Sequence, residues 1–278
     1  MGFEKLEVVG VGDNTVDIFI NQGRYYPGGN CVNFSVFAKR LGAQSSYIGI
    51  LGNDERGRHI YDALEKEDVN IERVRIENCE NSFAKVKLVN NDRIFLSSNP
   101  KLSQSLKITK KDIEFLKNVD LIHTSIFSNI NNELKNLSKY NFKISYDFSN
   151  KYYKYDFNEK DIFPFIDYGF FSFDDFSEKE IYKFINEIQN SYNIEIVVTA
   201  GENGSYAVNK KNELIHFPAK NITPLDTIGA GDAYISCYLL SRLKGVNKIE
   251  SMKKSTVFAI KICLKSGSFG YGKSFENK

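Results

Sequence analysis

Short runs of apolar residues alternate along the chain with stretches whose apolar residues recur at helical spacing. Because the intervals between the runs leave room for helices, this alternation predicts a mainly parallel sheet with helices on both faces. The predicted strands are Leu6–Val11, Ser46–Leu51, Leu121–Ser125, Lys143–Asp147, Tyr168–Phe173 and Ile194–Thr199. The runs Ser205–Val208 and Glu213–Phe217 flank a polar turn and predict a hairpin near one edge of that sheet.

Three segments carry the signals of helices. In Asn30–Leu41 the apolar residues recur at i, i+3, i+4 and i+7, and Gly42 follows as a stop signal. Capping-box patterns predict that two further helices begin after Thr109 and Ser177, the second running to about residue 190.

One stretch breaks the α/β alternation. Residues Phe83–Val89 alternate between apolar and polar, and a turn at Asn90–Asp92 leads to a second run, Arg93–Ser97. This pattern predicts an antiparallel hairpin, and Asp17–Tyr26 is expected to join it as a small β lid. We therefore predict a single domain over residues 1–278, with lid segments at about 17–26 and 83–97.

The lid also bears on assembly. If Ala84, Val86 and Leu88 face away from the ligand, their apolar stripe needs a cover, which a second lid would supply in a homodimer. A monomer is the alternative, and the sequence does not choose between the two.

Composition and charge exclude several classes of protein. The 37 Lys and Arg residues nearly balance the 35 Asp and Glu residues, so nucleic acid is not an expected partner. No apolar run approaches the roughly 18 residues that span a bilayer, and the N-terminus lacks a signal-peptide pattern, so no membrane partner is expected. The four cysteines are far apart and form no CxxC pair, from which we expect reduced thiols and a cytoplasmic protein.

The strongest candidate for chemistry is Asp226–Asp232, DTIGAGD, which leads into the almost uniformly apolar segment Ala230–Leu243, a predicted buried helix. Small residues at a helix start let a ligand approach the backbone amides at the positive end of the dipole, which suits a phosphoryl group. Asp232 lies in the first turn, where the dipole favours its ionised form and where it can deprotonate an attacking hydroxyl. A flexible loop followed by a capping Asp explains this motif equally well when it is taken alone.

Two N-terminal motifs suit a ligand with many hydroxyls. In Gly28–Asn33, GGNCVN, two glycines precede a helix, and Asn30 and Asn33 lie on one helix face, where their amides can donate and accept. Asp13 and Asp17 follow the first strand, at the end where ligands gather in open α/β sheets. A Gly-Gly turn, an Asn cap and turn-forming Asp residues are the structural alternatives.

A fourth motif follows the strand that ends at Thr199. Residues Thr199–Ser205, TAGENGS, form a polar turn with two glycines. Such a turn can contact the phosphate or ribose of a nucleotide, although an ordinary connection between a strand and a hairpin explains it as well.

The order of these motifs resembles the ribokinase family of carbohydrate kinases (the phosphofructokinase B type) along essentially the whole chain. The family's GGxxxN element is similar to Gly28–Asn33, and its DTxGAGD element is complete in Asp226–Asp232. The resemblance implies a ribokinase-like three-layer α/β/α fold, with a mainly parallel central sheet and a small β lid. It also implies an ATP-dependent sugar kinase that transfers the γ-phosphoryl group to a primary hydroxyl.

The resemblance further implies roles for single residues. Asp232 would be the general base, beside an anion hole formed by Gly229, Ala230 and Gly231. Asp17, Gly28, Gly29 and Asn33 would line the sugar site, to which the argument from the residues adds Asp13 and Asn30. Thr199, Gly201, Glu202 and Gly204 would face ATP. Asp226 would lie near a monovalent-cation site, which makes K⁺ a second cofactor to test beside Mg²⁺.

Within the family, shorter pieces are similar to the fructoselysine 6-kinases. These pieces are Gly12–Asn14 with Val16 and Asp17, Gly28–Asn30, Asn91–Phe95, Asp147–Ser149 and Gly201–Ser205. The likeness favours the 6-hydroxyl of a fructosamine such as fructoselysine as the acceptor, and the short lid segment Ile18–Tyr26 would leave room for an amino-acid tail. It also makes Arg93 a candidate substrate contact, with an exposed hairpin arginine as the alternative.

One departure concerns Mg²⁺. Many relatives carry an Asn-x-x-Glu element after the strand that corresponds to Tyr168–Phe173, whereas this chain has SFDDFSE at 172–178. Asp174, Asp175 and Glu178 are the candidates to replace that element. Because Mg²⁺ tends to keep its waters and to ride on substrate phosphates, catalysis is expected to tolerate a looser protein shell.

Two alternatives stay open at this point. Within the family, the activity of a ribokinase, a fructokinase or a nucleoside kinase would use the same motifs. In another class, a non-catalytic sensor of a sugar or nucleotide would share the fold, although the intact Asp226–Asp232 element argues against it because a binder needs no base.

Overall fold

A computed structural model of the protein describes residues 3, 5–89, 92–102, 105–152, 158–173, 175–209 and 211–275, with the backbone alone for 88, 89 and 92–95. Its strands are β1 (Glu7–Val11), β2 (Thr15–Phe19), β3 (Arg24–Gly28), β4 (Gln44–Ile48), β5 (Ile50–Gly52), β6 (Arg75–Glu77), β7 (Phe83–Val89), β8 (Asp92–Asn99), β9 (Leu121–Ser125), β10 (Lys143–Asp147), β11 (Tyr168–Ser172), β12 (Glu195–Thr199), β13 (Ser205–Val208), β14 (Leu214–Phe217) and β15 (Lys273–Ser274). Its α-helices are α1 (Asn30–Arg40), α2 (Glu55–Lys66), α3 (Lys110–Leu116), α4 (Asn131–Leu137), α5 (Glu178–Ser191), α6 (Ala230–Leu243) and α7 (Lys248–Cys263).

A large sheet of eight strands forms the centre of the molecule, in the order β14-β13-β12-β11-β10-β9-β1-β4. All pairings from β12 to β4 are parallel, and the hairpin β13–β14 completes the other edge with antiparallel pairings. The mainly parallel sheet and the hairpin at its edge are therefore confirmed.

Helices cover both faces of the large sheet because successive side chains of its strands point to opposite sides. In β12, Ile196 and Val198 belong to a core that includes Leu134 of α4 and Ile185 of α5. Val197, between them, belongs to a second core that includes residues of α1 and α6. The two faces of β12 are thus covered by different helices, as expected for a three-layer α/β/α fold.

A small sheet of five strands lies beside the large one, in the order β15-β3-β2-β7-β8. It joins the two predicted lid segments, since β2 pairs with both β3 and β7. On one of its faces Phe19, Tyr26 and Val86 form a cluster with Ile228, the residue just before Gly229. The small sheet therefore packs directly against the start of the DTIGAGD loop.

This packing corrects the premise of the predicted homodimer. Ala84 and Val86 are only 9% and 1% exposed, so the small sheet's apolar stripe is covered within the chain for both residues. The side chain of Leu88, the third member of the stripe, lies outside what the structure describes. Ala84 and Val86 therefore give no argument for a second lid, and the homodimer stays a prediction.

The predicted strand Ser46–Leu51 is wrong in one respect. The apolar run is divided at Gly49 into β4, which belongs to the large sheet, and β5, which pairs with β6 in a separate two-stranded sheet. A Cβ at Gly49 would lie 2.0 Å from the hydroxyl oxygen of Tyr47, so only glycine lets the chain turn here against that ring.

No helix within the described ranges is both long and apolar enough to cross a membrane. The four cysteines are free thiols; Cys31 and Cys237 are buried and Cys79 is exposed.

A buried carboxylate ties α3 to β6. The side chain of Asp112 is fully buried and accepts hydrogen bonds from Arg73 at 2.9 Å, from Arg75, and from both the main chain and the hydroxyl of Thr109. Burial raises the pKa of Asp112, but the hydrogen bonds from Thr109 and Arg73 and the charge of Arg75 outweigh it, so the pKa lies below its usual value. The predicted capping box at Thr109 is confirmed as part of this network.

We expect Asp112→Asn to lower the free energy of unfolding at pH 7 by about 3 kcal/mol, because it leaves two partly buried guanidinium groups without a charge partner. Since the folded state lowers the pKa of Asp112, the difference should shrink as the pH falls below about 4, the usual pKa of Asp. Urea unfolding at pH 7 and pH 3.5 measures both. Asp68→Asn is the control: Asp68 pairs with Lys39 but is 88% exposed, so its loss should leave the unfolding midpoint unchanged. Equal effects of the two substitutions would contradict this account.

Candidate active site

The predicted site residues converge at one edge of the large sheet. Asp13, Asp147 and Thr199 lie at or just beyond the carboxyl ends of β1, β10 and β12, where ligands gather in parallel sheets. The N-terminal turns of α1 and α6 approach the same edge, since α1 carries Asn33 to within hydrogen-bond distance of Asp232. The two halves of the site are thus in contact although 199 residues separate them in sequence.

Two amides of α1 each hold a carboxyl group. Asn30 donates from Nδ2 to Oδ2 of Asp147 at 2.5 Å, and Asn33, one turn further, donates from Nδ2 to Oδ2 of Asp232 at 2.7 Å. Because residues three apart lie on one helix face, the two carboxyl groups are presented side by side. Asn30 and Asn33 were predicted to face hydroxyls of a ligand; the structure directs one donor of each to a carboxyl.

The environment of Asp232 opposes its ionisation. Burial and the neighbouring Asp147 raise the pKa of Asp232 well above its usual value, with further contributions from Asp13 and Asp17, whereas the bond from Asn33 lowers it. The prediction that the helix dipole keeps this carboxyl ionised therefore needs correction: a dipole at a helix start contributes modestly, and burial beside other carboxyls outweighs it.

Asp13 has a structural role beside the sugar contact predicted for it. Its Oδ1 accepts hydrogen bonds from the hydroxyls of Ser125 and Ser128 at 2.7 and 3.0 Å and from Cys31 Sγ at 3.2 Å, and its Oδ2 accepts from the main-chain N–H of Asn30 at 2.7 Å. The carboxylate thus anchors the first turn of α1 to the ends of β1 and β9. With four donors already bound, Asp13 supports the site from below, and its contact with a sugar stays a prediction.

The Gly-Gly pair before α1 allows two close approaches. At Gly28, a Cβ would lie 2.7 Å from Oδ2 of Asp17, so the glycine leaves room for that carboxylate. At Gly29, which has φ of 103°, a Cβ would lie 2.5 Å from Cα of Asn14. The pair therefore positions Asp17 and the start of α1 by leaving space that no other residue would leave.

The predicted anion hole begins in a left-handed turn. Gly229 precedes α6 with φ of 74°, and a Cβ there would lie 2.2 Å from Oγ of Ser268. The N–H of Ala230 donates to Thr227 O at 3.2 Å, so that amide is already engaged in the turn. Gly231 is exposed, and a Cβ there would meet nothing within 4 Å, which leaves open space over the first turn of α6.

Asp226 fastens the same loop to the C-terminal segment. Its Oδ1 accepts from the N–H of Ile228 at 2.9 Å and its Oδ2 accepts from the N–H of Gly267 at 2.8 Å, while the residue is 5% exposed. The carboxylate oxygens keep lone pairs beyond these two bonds, so the donor set is compatible with a monovalent cation. The role of Asp226 at a K⁺ site stays a prediction.

The candidate nucleotide contacts surround the end of β12. Thr199 is partly exposed and donates through its hydroxyl to Phe171 O at 3.3 Å. Gly201 and Gly204 both have positive φ, and a Cβ at Gly204 would lie 2.2 Å from Phe217 O. Glu202 is exposed between them. The turn is therefore held tightly against β14 while its outer side faces solvent.

Two predicted positions lie partly or wholly outside the described residues. Arg93 pairs with Leu88 in the ladder between β7 and β8, but its side chain lies outside the described part of the structure. Asp174 lies outside the described residues altogether. Of the other candidates for Mg²⁺, Asp175 is exposed, and Glu178 lies 3.6 Å from His216 and 3.4 Å from the hydroxyl of Tyr206.

The described residues contain no group of three or more His, Cys, Asp or Glu side chains placed to hold a metal ion. A Mg²⁺ ion that is bound mainly by phosphate oxygens and water stays the expectation for this site.

Asp147 is the site residue that motif analysis did not assign. It is 5% exposed, and its Oδ1 accepts from the N–H of Ser149 at 2.7 Å. Burial and the nearby Asp13 raise its pKa to about 7, against the effect of its bonds from Ser149 and Asn30. The sequence did contain one indication of this role: an acidic residue at the carboxyl end of a predicted strand. Ligands of parallel sheets bind at that end of the strands.

A carboxyl at the N-terminus of a buried helix, a glycine-rich loop before it and an open parallel sheet together define an α/β phosphotransferase site. Comparison with known proteins gives the family. The sequence model described as pfkB family carbohydrate kinase matches residues 8–139 and 168–270, and the chain belongs to this family. It is accordingly an ATP-dependent sugar kinase, and the interpretation as a non-catalytic sensor is not supported.

Individual relatives agree with this assignment. The chain is 36% identical to fructosamine kinase FrlD of Bacillus subtilis over 96% of its own length and 94% of the relative's. It is 26% identical to fructoselysine 6-kinase of Escherichia coli, covering 90% of this chain and 95% of the other. The solved structure of Arabidopsis thaliana ribokinase with ribose and ATP has a TM-score of 0.77 at 18% identity, covering 96% of this chain and 94% of that one, which confirms the ribokinase fold.

Proposed function

We propose that this kinase phosphorylates the 6-hydroxyl of a fructosamine, with fructoselysine as the preferred acceptor. The observation that carries the proposal is the 36% identity to a fructosamine kinase across nearly the full length of both chains. The shorter motifs that resemble fructoselysine 6-kinases, among them Gly28–Asn30 and Asp147–Ser149, lie at the ligand edge of the sheet.

The charge of the site supports a cationic acceptor. The three charged groups that raise the pKa of Asp232 are Asp147, Asp13 and Asp17, all of them carboxyls. A fructosamine carries a secondary amine that is protonated at neutral pH, whereas fructose and ribose are neutral. Binding of the ammonium group would offset the repulsion among these carboxyls, an effect that a neutral sugar cannot supply.

In the reaction we propose, the 6-hydroxyl oxygen attacks the γ-phosphorus of ATP, the bond between that phosphorus and the bridging β,γ-oxygen breaks, and ADP leaves. Asp232 takes the hydroxyl proton, and Asn33 keeps its carboxyl in place. In this proposal the amides of Gly229 and Gly231 face the transferring group, whereas the amide of Ala230 closes the turn by donating to Thr227 O. The turn from Thr199 to Gly204 faces the nucleotide. Mg²⁺ bound to ATP would neutralise phosphate charge, with K⁺ near Asp226 as a further proposed cofactor.

Asn33 supplies a second reason to place the sugar here. The residue is 4% exposed, and its Oδ1 has no hydrogen-bond partner among the described residues. Buried acceptors are nearly always satisfied, so an orphaned oxygen beside Asp232 points to a donor that arrives with the ligand. A sugar hydroxyl is such a donor.

An ADP-release assay with Mg²⁺-ATP and a panel of acceptors tests the proposal. We expect kcat/KM for fructoselysine to exceed that for fructose and ribose by at least about 100-fold, because one buried charge interaction is worth roughly 3 kcal/mol. Phosphorus–proton correlation spectra of the product should place the phosphate on C6.

The other acceptors in the panel distinguish the proposed substrate from its alternatives. If ribose, deoxyribose, fructose or a nucleoside gives a higher kcat/KM than fructoselysine, the proposed acceptor is wrong. The assignment of the chain as a sugar kinase is then unaffected. Addition of 100 mM KCl against NaCl in the same assay tests the proposed K⁺ site.

A further inference from the structure

Asp147 is a buried titratable group to which the proposed phosphoryl transfer assigns no step. It ends β10 and receives Asn30 Nδ2 at 2.5 Å, just as Asp232 receives Asn33 Nδ2 at 2.7 Å one helical turn away. One helix face therefore fixes two carboxyl groups next to each other. We propose that Asp147 is a positioning residue whose charge controls the protonation of the base Asp232.

The surroundings of the pair make this coupling strong. Asp13, at the end of β1, raises the pKa of both carboxyls, and Asp17 of β2 raises that of Asp232, while the thiol of Cys31 in α1 faces Asp13. Two carboxyls close together, Asp147 buried and Asp232 partly buried, cannot both ionise easily, so the pair titrates in two steps that belong to both groups. The pKa of each carboxyl is raised, as expected for two neighbouring groups that share one proton.

The consequence concerns the pH at which the enzyme becomes active. When both carboxyls are present, the negative charge of one raises the pKa of the other. If Asp147 is replaced by Asn, Asp232 loses its strongest like-charged neighbour and its pKa falls. The acidic limb of the pH profile, along which Asp232 loses its proton, must then move to lower pH.

Asp147→Asn tests the inference, which rests on Asp232 being the base of the proposed reaction. We expect the acidic limb of kcat/KM to shift down by about one pH unit. Asp167→Asn is the matched control, because Asp167 binds Lys143 at 2.7 Å and Ile144 N at 2.9 Å at the opposite end of β10. This substitution also removes one carboxyl, but it should not shift the acidic limb of the pH profile.

A second measurement does not depend on turnover. In protein with ¹³Cγ-labelled Asp, the carbon resonance of Asp232 should titrate at lower pH in Asp147→Asn, and that of Asp147 at lower pH in Asp232→Asn, since the coupling is reciprocal. Thermal melts of each variant check the fold.

The outcomes separate this inference from the proposed function. An unshifted acidic limb and unshifted resonances in Asp147→Asn, with Asp232→Asn inactive, would overturn the role of Asp147 and leave the base in place. Near-normal turnover of Asp232→Asn would instead overturn the proposed base.

Discussion

Asp232→Asn should lower kcat by about 10²–10⁴-fold while leaving KM for ATP and for the acceptor within about threefold. The substitution removes the carboxylate that takes the hydroxyl proton in the proposed reaction. The Asn side chain has nearly the same shape as that of Asp. Its oxygen can still accept the hydrogen bond from Asn33 that Oδ2 of Asp232 accepts at 2.7 Å. The loss should therefore appear in the chemical step and not in binding.

The matched control for this prediction is Glu250→Gln. Glu250 is the third residue of α7 and Asp232 is the third residue of α6, so both carboxyls lie in the first turn of a helix. The control removes the same favourable interaction with a helix dipole, far from the glycine loop. We expect wild-type kcat for Glu250→Gln. A similar loss of kcat in both variants would show that helix stability, and not proton transfer, explains the effect.

The sequence was most informative where one local pattern decides the structure. The bounds of α6 were predicted to the residue, because a segment that is apolar almost all round starts at a Gly-Ala-Gly turn. β9 and β10 were also predicted to the residue. These elements carry or adjoin the site, so its position in the fold could be inferred early.

Helix α7 shows why other parts were not predicted. Its buried residues include Ser251, Ser255 and Thr256 beside Met252 and Ile262, so the hydrophobic periodicity that marks a helix is weak. These hydroxyls are satisfied within the helix; Ser255 donates to Ser251 O at 2.8 Å. A face that packs through small hydroxyl side chains looks polar in sequence.

The proximity of Asp147 to Asp232 was missed for a different reason. Asn30 and Asp147 are 117 residues apart, and each had a sufficient local explanation, as a helix cap and as the end of a strand. Only the order of the strands brings β10 close to α1. The raised pKa of Asp232 depends on the same juxtaposition, which is why the helix dipole alone gave the opposite expectation.

Gly229→Ala should lower kcat by about 10²–10³-fold, the size expected when a hole of backbone donors is displaced. The new Cβ would lie 2.2 Å from Oγ and 2.8 Å from Cβ of Ser268, and the backbone there has φ of 74°. The loop must move to relieve this overlap, and the amides at the start of α6 move with it. Steady-state kinetics at saturating ATP, together with the melting temperature, measures the two consequences separately.

Two further variants distinguish the effect of steric overlap with Ser268 from the effect of backbone strain at a positive φ. Gly245 has nearly the same φ, 77°, but a Cβ there would meet nothing within 4 Å, so Gly245→Ala carries the strain of about 1 kcal/mol without the collision. It should lose some stability and keep its kcat. Adding Ser268→Gly to Gly229→Ala removes both of the closest contacts and should restore part of the activity. If the double variant is no more active than Gly229→Ala, the displacement of the loop by Ser268 is not the cause of the loss.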